Sequence, residues 1–435
     1  MSKSGYLEHR IVISPLDSRF WAVPQGARLV EPGGHSPAVT FPAGFLASGI
    51  AVGLKTSGRP DVGVVAVAPE WRAQSVSAAV FTTNAFAAAP VIVDRTECDL
   101  GHIVAVAMNS GNANACTGSS GLEVARAMQV ACADTLDVSS RLVAIGSTGI
   151  IGVQLDAAFM AEAVRKASAA LHPGGGPEFG HSILTTDRFA KMCAFEVHTA
   201  DGPVRLGSCA KGAGMISPAM ATMLCVVSTD ALLTSQQMYS LLTAAVAGSF
   251  NRVTVDGEMS TNDTVFFLSS GASGVKPGTE GVAQIAQALE AMLLRTALMM
   301  VADGEGASKI MRLQVLGAST EQEAELVARS IADSPLVKTA MHGGDANWGR
   351  ILSSAGAALA GRVLPNASLE LCDVTVVQDA AACVVTEEDA ARMTARMKGP
   401  EIDIRLDLGI GNCGTQVFFA DMGHEYIRIN ADYHT

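Results

Sequence analysis

Three short runs of β-branched and small apolar residues, Val62-Gly-Val-Val-Ala-Val-Ala68, Ile103-Val-Ala-Val-Ala107 and Leu142-Val-Ala-Ile145, constrain the fold more than any other feature. Each has the length of a strand, and between the last two the segment Gly121 to Leu136 repeats its apolar residues at helical spacing. Strand and helix in alternation indicate an α/β protein rather than a helix bundle or a β-sandwich. Further along, Thr234 and Gln237 make a capping-box pair at the head of a helix running to about Gly248, and Val282 to Met300 predicts a second long helix.

From Lys309 onward the pattern changes. A strand is expected at Ile310 to Leu316, then a helix opened by Ser319 and Gln322, then the Gly-rich turn His342-Gly-Gly-Asp345. Near the end Glu401-Ile-Asp-Ile-Arg-Leu-Asp-Leu408 alternates strictly, the mark of a sheet with one wet face. A domain boundary is therefore expected near residue 310, whereas Pro173-Gly-Gly-Gly-Pro177 reads as a flexible loop within the first domain. A chain of 435 residues exceeds one ordinary core, so two or three domains are expected.

Hydrophobic residues make up 49% and charged residues only 17%, which implies extensive burial extended by subunit contacts. The net charge of -12 argues against nucleic acid and anionic membranes as partners. The most apolar helical stretch, Ala288 to Val301, contains Glu290 and Arg295 and reads as too short to span a bilayer. Glu8, His9 and Arg10 precede only a very short apolar run, so no signal peptide is expected and a cytoplasmic location is. The nine cysteines are scattered singly without a Cys-x-x-Cys spacing, as reduced core thiols would be.

One stretch carries chemistry. Lys211-Gly-Ala-Gly-Met-Ile-Ser-Pro-Ala-Met-Ala-Thr-Met-Leu224 places a hydroxyl residue, Thr222, directly after a small residue and downstream of a Gly-rich turn. If the Ala221-Thr222 bond breaks, Thr222 becomes an N-terminus whose hydroxyl and α-amine belong to one residue. An α-amine has an unperturbed pKa of about 8, so it can take the hydroxyl proton without a histidine. Spacing alone favours a Gly-turn entering a buried strand, with Cys225 as plain core. Asp256, Glu258 and Asp263 fit no metal-loop spacing and read as hydrogen-bonded turn carboxylates. His342 and Asp345 lack a Gly-x-Ser-x-Gly elbow to serve and read as a packed loop. Asn112 and Asn114 read as structural groups of a Gly-Asn-rich turn.

The 211–224 stretch closely resembles the self-processing site of the ornithine acetyltransferases, the glutamate N-acetyltransferases of arginine biosynthesis. Gly44-Phe-Leu-Ala-Ser-Gly-Ile-Ala-Val-Gly-Leu-Lys55, Asn109-Ser-Gly-Asn-Ala-Asn-Ala-Cys-Thr-Gly118, Gly146-Ser-Thr-Gly-Ile-Ile-Gly152 and Leu184-Thr-Thr-Asp187 resemble further signatures of that family, in its order. So do Ser249 to Thr264, Asp303-Gly-Glu-Gly306, Gly344-Asp-Ala-Asn-Trp-Gly-Arg350 and Asn430-Ala-Asp-Tyr-His-Thr435. The chain departs at Ser217-Pro-Ala219, where the family often has His-Pro-Asn, at Ala307-Ser308, where it has Ala-Thr, and at His434, where it tends to have a small hydroxyl residue.

The resemblance implies a layered α/β sandwich of the ornithine acetyltransferase and DmpA-like type with a smaller α+β C-terminal domain. It divides the chain into an unassigned extension 1–38, a catalytic domain 39–310 and a C-terminal domain 311–435. It implies autocleavage between Ala221 and Thr222, then transfer of an acetyl group from N-acetylornithine to glutamate through an acetyl ester on Thr222. Thr148 and Gly149 would supply the oxyanion donors, where losing one donor typically costs about 2.7 to 4 kcal/mol. Lys211 would bind a carboxylate and Glu305 the ornithine ammonium, with Thr185, Thr222, Asn430 and Thr435 as the other substrate contacts. Two α and two β chains would assemble, and no cofactor or metal is expected. Acetyl-CoA stays open as a second donor, and a self-processing amidase or aminopeptidase on the same scaffold stays open as the alternative.

Overall fold

The computed structural model describes residues 18–30, 38–217 and 223–432. They form two units, one of Trp21–Asn251 with Glu258–Met300 and one of residues 18–20, 252–257 and 301–432. Both mix strands and helices, so the class is α/β.

The longer unit contains two sheets. Six strands run in the order Ala27–Leu29, Lys191–Thr199, Gly202–Lys211, Leu224–Thr229, Thr264–Ser269 and Val76–Phe81. Four more run in the order Phe45–Ile50, Val62–Val67, Ala105–Asn112 and Val143–Ile150. Val226, Phe266 and Leu268 of the first sheet share one core cluster with Val65, Val67 and Met108 of the second, so the sheets pack face to face. The far side of the four-stranded sheet, with Val62, Val64 and Ile145, packs on the helices Gly118–Leu136 and Ala157–Ala169. Coverage on both faces explains why the 62–67 strand is apolar and buried at every position instead of alternating. Each fully buried Val or Phe there contributes roughly 1.5 to 3 kcal/mol.

Trp21 stacks on Phe195 of the six-stranded sheet and donates its indole N–H to the Ala291 carbonyl, 2.6 Å away, which seats the helix Thr279–Ala302 on the outer face. The layers are therefore helix, sheet, sheet, helix. The seated helix corrects an expectation. It has 24 residues and is long and apolar enough by composition to cross a membrane, because polar residues before Ala288 extend the run without breaking the helix. Its apolar window is 72% buried inside the protein, and the buried Arg295 guanidinium lies over the Trp21 ring, as in a core helix.

Local signals behave as chemistry dictates. The helix Ser235–Gly248 opens on the full Thr234 and Gln237 capping box. In the C-terminal unit the helix Glu321–Ala332 starts one residue later than predicted, since Thr320 rather than Ser319 caps it by accepting from the Glu323 N–H at 3.1 Å. The Ser319 N–H goes to the Glu323 carboxylate instead, at 2.7 Å. That unit is built on a seven-stranded sheet whose central strand, Glu401–Asp407, alternates between buried and open residues. Ile402, Ile404 and Leu406 turn toward the core that the helices cover.

Candidate active site

The strand Leu224–Thr229 begins two residues after Thr222, and both of its neighbours are fixed by register. The antiparallel strand Gly202–Lys211 places Lys211 opposite Leu224, and the parallel strand Thr264–Ser269 places Thr264 opposite the same residue. Lys211 and Asp263 thus flank the chain that leads out of the 211–222 stretch. Ala221 and Thr222, like Thr435, lie outside the described residues.

Lys211 is only 4% exposed, and its ammonium donates to the Thr148 hydroxyl at 3.2 Å. The hydroxyl oxygen accepts that bond, so the hydroxyl hydrogen can be offered to a third group. Thr148 and Gly149 close the strand Val143–Ile150, whose pairing with Ala105–Asn112 becomes irregular at Gly111 and Asn112. Gly149 has φ +133°, and a Cβ there would stand 2.3 Å from the Gly111 carbonyl carbon and 2.5 Å from the Asn112 nitrogen. Only glycine permits that approach. The Asn262 amide fixes the same turn, donating to the Ser147 carbonyl at 2.8 Å and the Ala113 carbonyl at 2.6 Å. Asn112 and Asn114 serve their own turn, with Asn112 accepting from the Asn114 N–H at 2.8 Å and Asn114 donating to the Gly121 carbonyl at 2.9 Å.

Thr185 is tied to the backbone just after Lys211 through Asp187, which motif reading passed over. The buried Asp187 carboxylate accepts from the Thr185 N–H at 3.0 Å and the Gly212 N–H at 2.7 Å, and it pairs with the buried Lys191. Burial pushes this carboxyl up, but Lys191 and Lys211 outweigh burial and hold it below the usual carboxylate range. The signal was present in Leu184-Thr-Thr-Asp187, where an acid follows two hydroxyl residues at turn spacing.

Asp263 is fully buried and goes the other way. Its Oδ1 accepts from the Met223 N–H at 2.8 Å, while Oδ2 has no hydrogen-bond partner among the described residues. Burial pushes this carboxyl well up against lesser pulls from the Met223 N–H, Ser260 and Lys211, which favours the neutral acid. Cys225 is buried with its thiol pushed well up by burial, as suits a core residue.

Glu305 and Asn430 belong to the other unit, where the Asn430 amide donates to the Glu305 carboxylate at 2.9 Å. Gly306 has φ +72°, and a Cβ there would lie 2.5 Å from the Tyr426 nitrogen, so glycine lets the 303–306 turn touch the helix His424–Asp432 that carries Asn430. His342 pairs through Nδ1 with Asp421 at 2.7 Å. The Ser308 hydroxyl donates to the same carboxylate at 2.6 Å, in a packed arrangement and not a relay from serine to histidine. The sequence-predicted residues thus fall into two groups, Thr148, Gly149, Thr185 and Lys211 in one unit and Glu305 with Asn430 in the other.

Comparison with known proteins extends over nearly the whole chain. The model of the ArgJ family matches residues 46–435. The arginine biosynthesis bifunctional protein ArgJ of Nitratidesulfovibrio vulgaris is 41% identical over 401 residues, covering 90% of this chain and 98% of that protein. The protein of the same name from Symbiobacterium thermophilum is 38% identical over 402 residues, covering 91% and 98%. Among solved structures, arginine biosynthesis bifunctional protein ArgJ from Bacillus halodurans is 34% identical and aligns with 48% of this chain and 98% of its own, with a TM-score of 0.44. With a family match that begins inside the Gly44 to Lys55 string and ends at the last residue, the chain belongs to the ArgJ family.

Proposed function

We propose that this protein moves an acetyl group from N2-acetyl-L-ornithine to L-glutamate through an acetyl ester on Thr222, after cutting itself into an α chain of residues 1–221 and a β chain of residues 222–435. The buried contact between the Lys211 ammonium and the Thr148 hydroxyl carries this reading. It joins a cation suited to a substrate carboxylate to a hydroxyl suited to a tetrahedral oxyanion, both beside the strand that follows Thr222.

In the first half-reaction the Thr222 hydroxyl oxygen attacks the acetyl carbonyl and the α-amine takes its proton. The oxyanion is met by the Thr148 hydroxyl and the Gly149 N–H, and ornithine leaves as the amine. Glutamate then attacks the ester and restores Thr222, so one hard transfer becomes two easier ones. Lys211 and Thr185 hold the substrate's α-carboxylate end, and Glu305 with Asn430 the ornithine ammonium, with Thr435 completing the contacts. The relatives' designation as bifunctional supports acetyl-CoA as a second donor to glutamate. Two α and two β chains form the working assembly, in the cytoplasm.

Intact mass spectrometry under denaturing conditions, before and after N-acetylornithine alone is added, tests this directly. The expected result is two fragments meeting at Ala221 and Thr222, with one acetyl mass gained by the second. A single chain that never gains an acetyl group overturns the reading. Ornithine release that is indifferent to glutamate makes the protein a hydrolase instead.

A further inference from the structure

We infer that Asp263 is the acid that protonates the Thr222 nitrogen as the Ala221-Thr222 bond breaks. The inference rests on the self-cleavage proposed above and assigns a step that the oxyanion donors and Lys211 leave without a residue. An amide nitrogen does not depart as an anion, so cleavage needs a proton delivered to it.

Four observations point to Asp263. The carboxyl is fully buried, so its charge state is set by the protein around it and not by bulk water. Its Oδ1 already holds the Met223 N–H at 2.8 Å, and the Thr264 N–H holds the Met223 carbonyl at 3.0 Å, so Met223, the residue just after Thr222, is held at both its N–H and its carbonyl. The Thr222 nitrogen is the next one upstream, and residues joined by a peptide bond have Cα atoms only about 3.8 Å apart. Oδ2, the second oxygen of the same carboxyl, has no partner among the described residues. A buried polar atom left unpaired is rare and calls for a role. The surroundings also favour the protonated form, so the hydrogen to be given is present.

The step balances. The Thr222 hydroxyl oxygen bonds to the Ala221 carbonyl carbon while the carbon–nitrogen bond breaks. Asp263 gives its Oδ2 hydrogen to the departing nitrogen, and the hydrogen lost by the hydroxyl restores the acid, leaving an ester and a neutral α-amine. Water then adds to the ester, returns the hydroxyl to Thr222 and leaves Ala221 as a carboxylic acid. Asn262, the neighbour of Asp263, holds the Ser147 carbonyl beside Thr148, so the acid and the oxyanion donor are tied to one strand entry.

The experiment follows cleavage of the full chain during cell-free synthesis, by mass, for the wild type and Asp263→Asn across a pH series. Asparagine keeps the shape and the acceptor for the Met223 N–H but has no acidic hydrogen. The expected result is a wild-type rate that falls as the pH is raised, and a folded variant slowed by roughly a hundredfold or more with that pH dependence gone. A variant cleaving as fast as the wild type with the same pH profile overturns the inference and leaves the self-cleavage reading standing. A wild-type chain that never cleaves overturns the reading and the inference with it. If the variant shows no cooperative unfolding transition, the wild-type profile decides alone, since a rate that rises or stays level with pH overturns the assignment.

Discussion

Asp187 and Asp263 both bury their carboxyls in the longer unit, and each contacts one end of the 212–223 stretch, yet their surroundings drive them to opposite states. Asp187 faces the ammonium of Lys191 and lies near Lys211, and it accepts two backbone N–H groups. Asp263 accepts one backbone N–H, draws weaker help from Ser260 and feels the pull of Lys211 least. Burial disfavours both anions, and only the first has a cation in contact to repay it. Buried charge is therefore set by partners, and the same residue type serves as a fixed anion in one place and as a stored proton in the other.

The largest effect should come from removing the fixed anion. Asp187→Asn leaves the Lys191 ammonium buried against a neutral amide, and denaturant unfolding near neutral pH should show a loss of about 3 to 5 kcal/mol. The sign with pH follows from the lowered carboxyl. Its contribution is present above the unfolded pKa of about 3.9 and is lost as the pH falls through the folded value, so wild type and variant should converge in strong acid. A loss below about 1 kcal/mol, the range of exposed pairs, would mean the buried pair is not the support described.

Asp263→Asn should show the reverse. With its folded pKa raised, Asp263 does not penalise folding below the unfolded value of about 3.9, and above it the wild type loses about 1.4 kcal/mol for each pH unit until the folded value is reached. The variant should therefore gain on the wild type as the pH rises, which urea midpoints of the two chains across that range measure. A stability difference that is flat with pH would put an ionised carboxylate at Asp263 and erase the contrast with Asp187. Lys211→Met tests the group both acids feel. Losing one charge-assisted hydrogen bond of about 1.5 to 3 kcal/mol should lower kcat/KM for N-acetylornithine by roughly 10- to 100-fold, chiefly through KM if binding is what Lys211 does.

What the sequence disclosed was local. The 62–67 run, the Thr234 capping box and the alternation of 401–407 are written in neighbouring residues, and all three appear in the structure. The choice of Thr320 over Ser319 as a cap was not legible, because adjacent hydroxyl residues satisfy the same pattern. At the site, Lys211 and Thr148 were named from their motifs, but their contact spans 63 positions and depends on how two sheets pack. The bond from Asp263 to Met223 spans 40 positions and exists because the 264–269 strand lies parallel beside 224–229 in the sheet order. A string such as Thr-Asn-Asp-Thr announces a turn. That its one carboxyl ends up without a cation in contact is decided by the sheet.

A third buried carboxylate sharpens the comparison with the smallest effect. Asp421 is held below the usual range despite burial, first by His342, then by the Ser308 hydroxyl and the backbone N–H groups of Ser308 and Lys309, the last two at 2.8 Å each. In return, the bond to Asp421 raises the His342 pKa. The stabilisation from this pair is present below the unfolded histidine value of about 6.5 and lost as the pH rises through the folded value. His342 has a 35% exposed side chain, so solvent screening keeps the pair within about 1 kcal/mol. Because three other donors remain on Asp421, His342→Asn should leave that carboxylate ionised and change stability only on the acid side of the histidine titration. Urea midpoints compared on the two sides of that titration measure it. If the variant instead makes Asp421 titrate upward as Asp263 does, then neutral donors, however many, do not hold a buried carboxylate charged, and the cation alone separates Asp187 from Asp263.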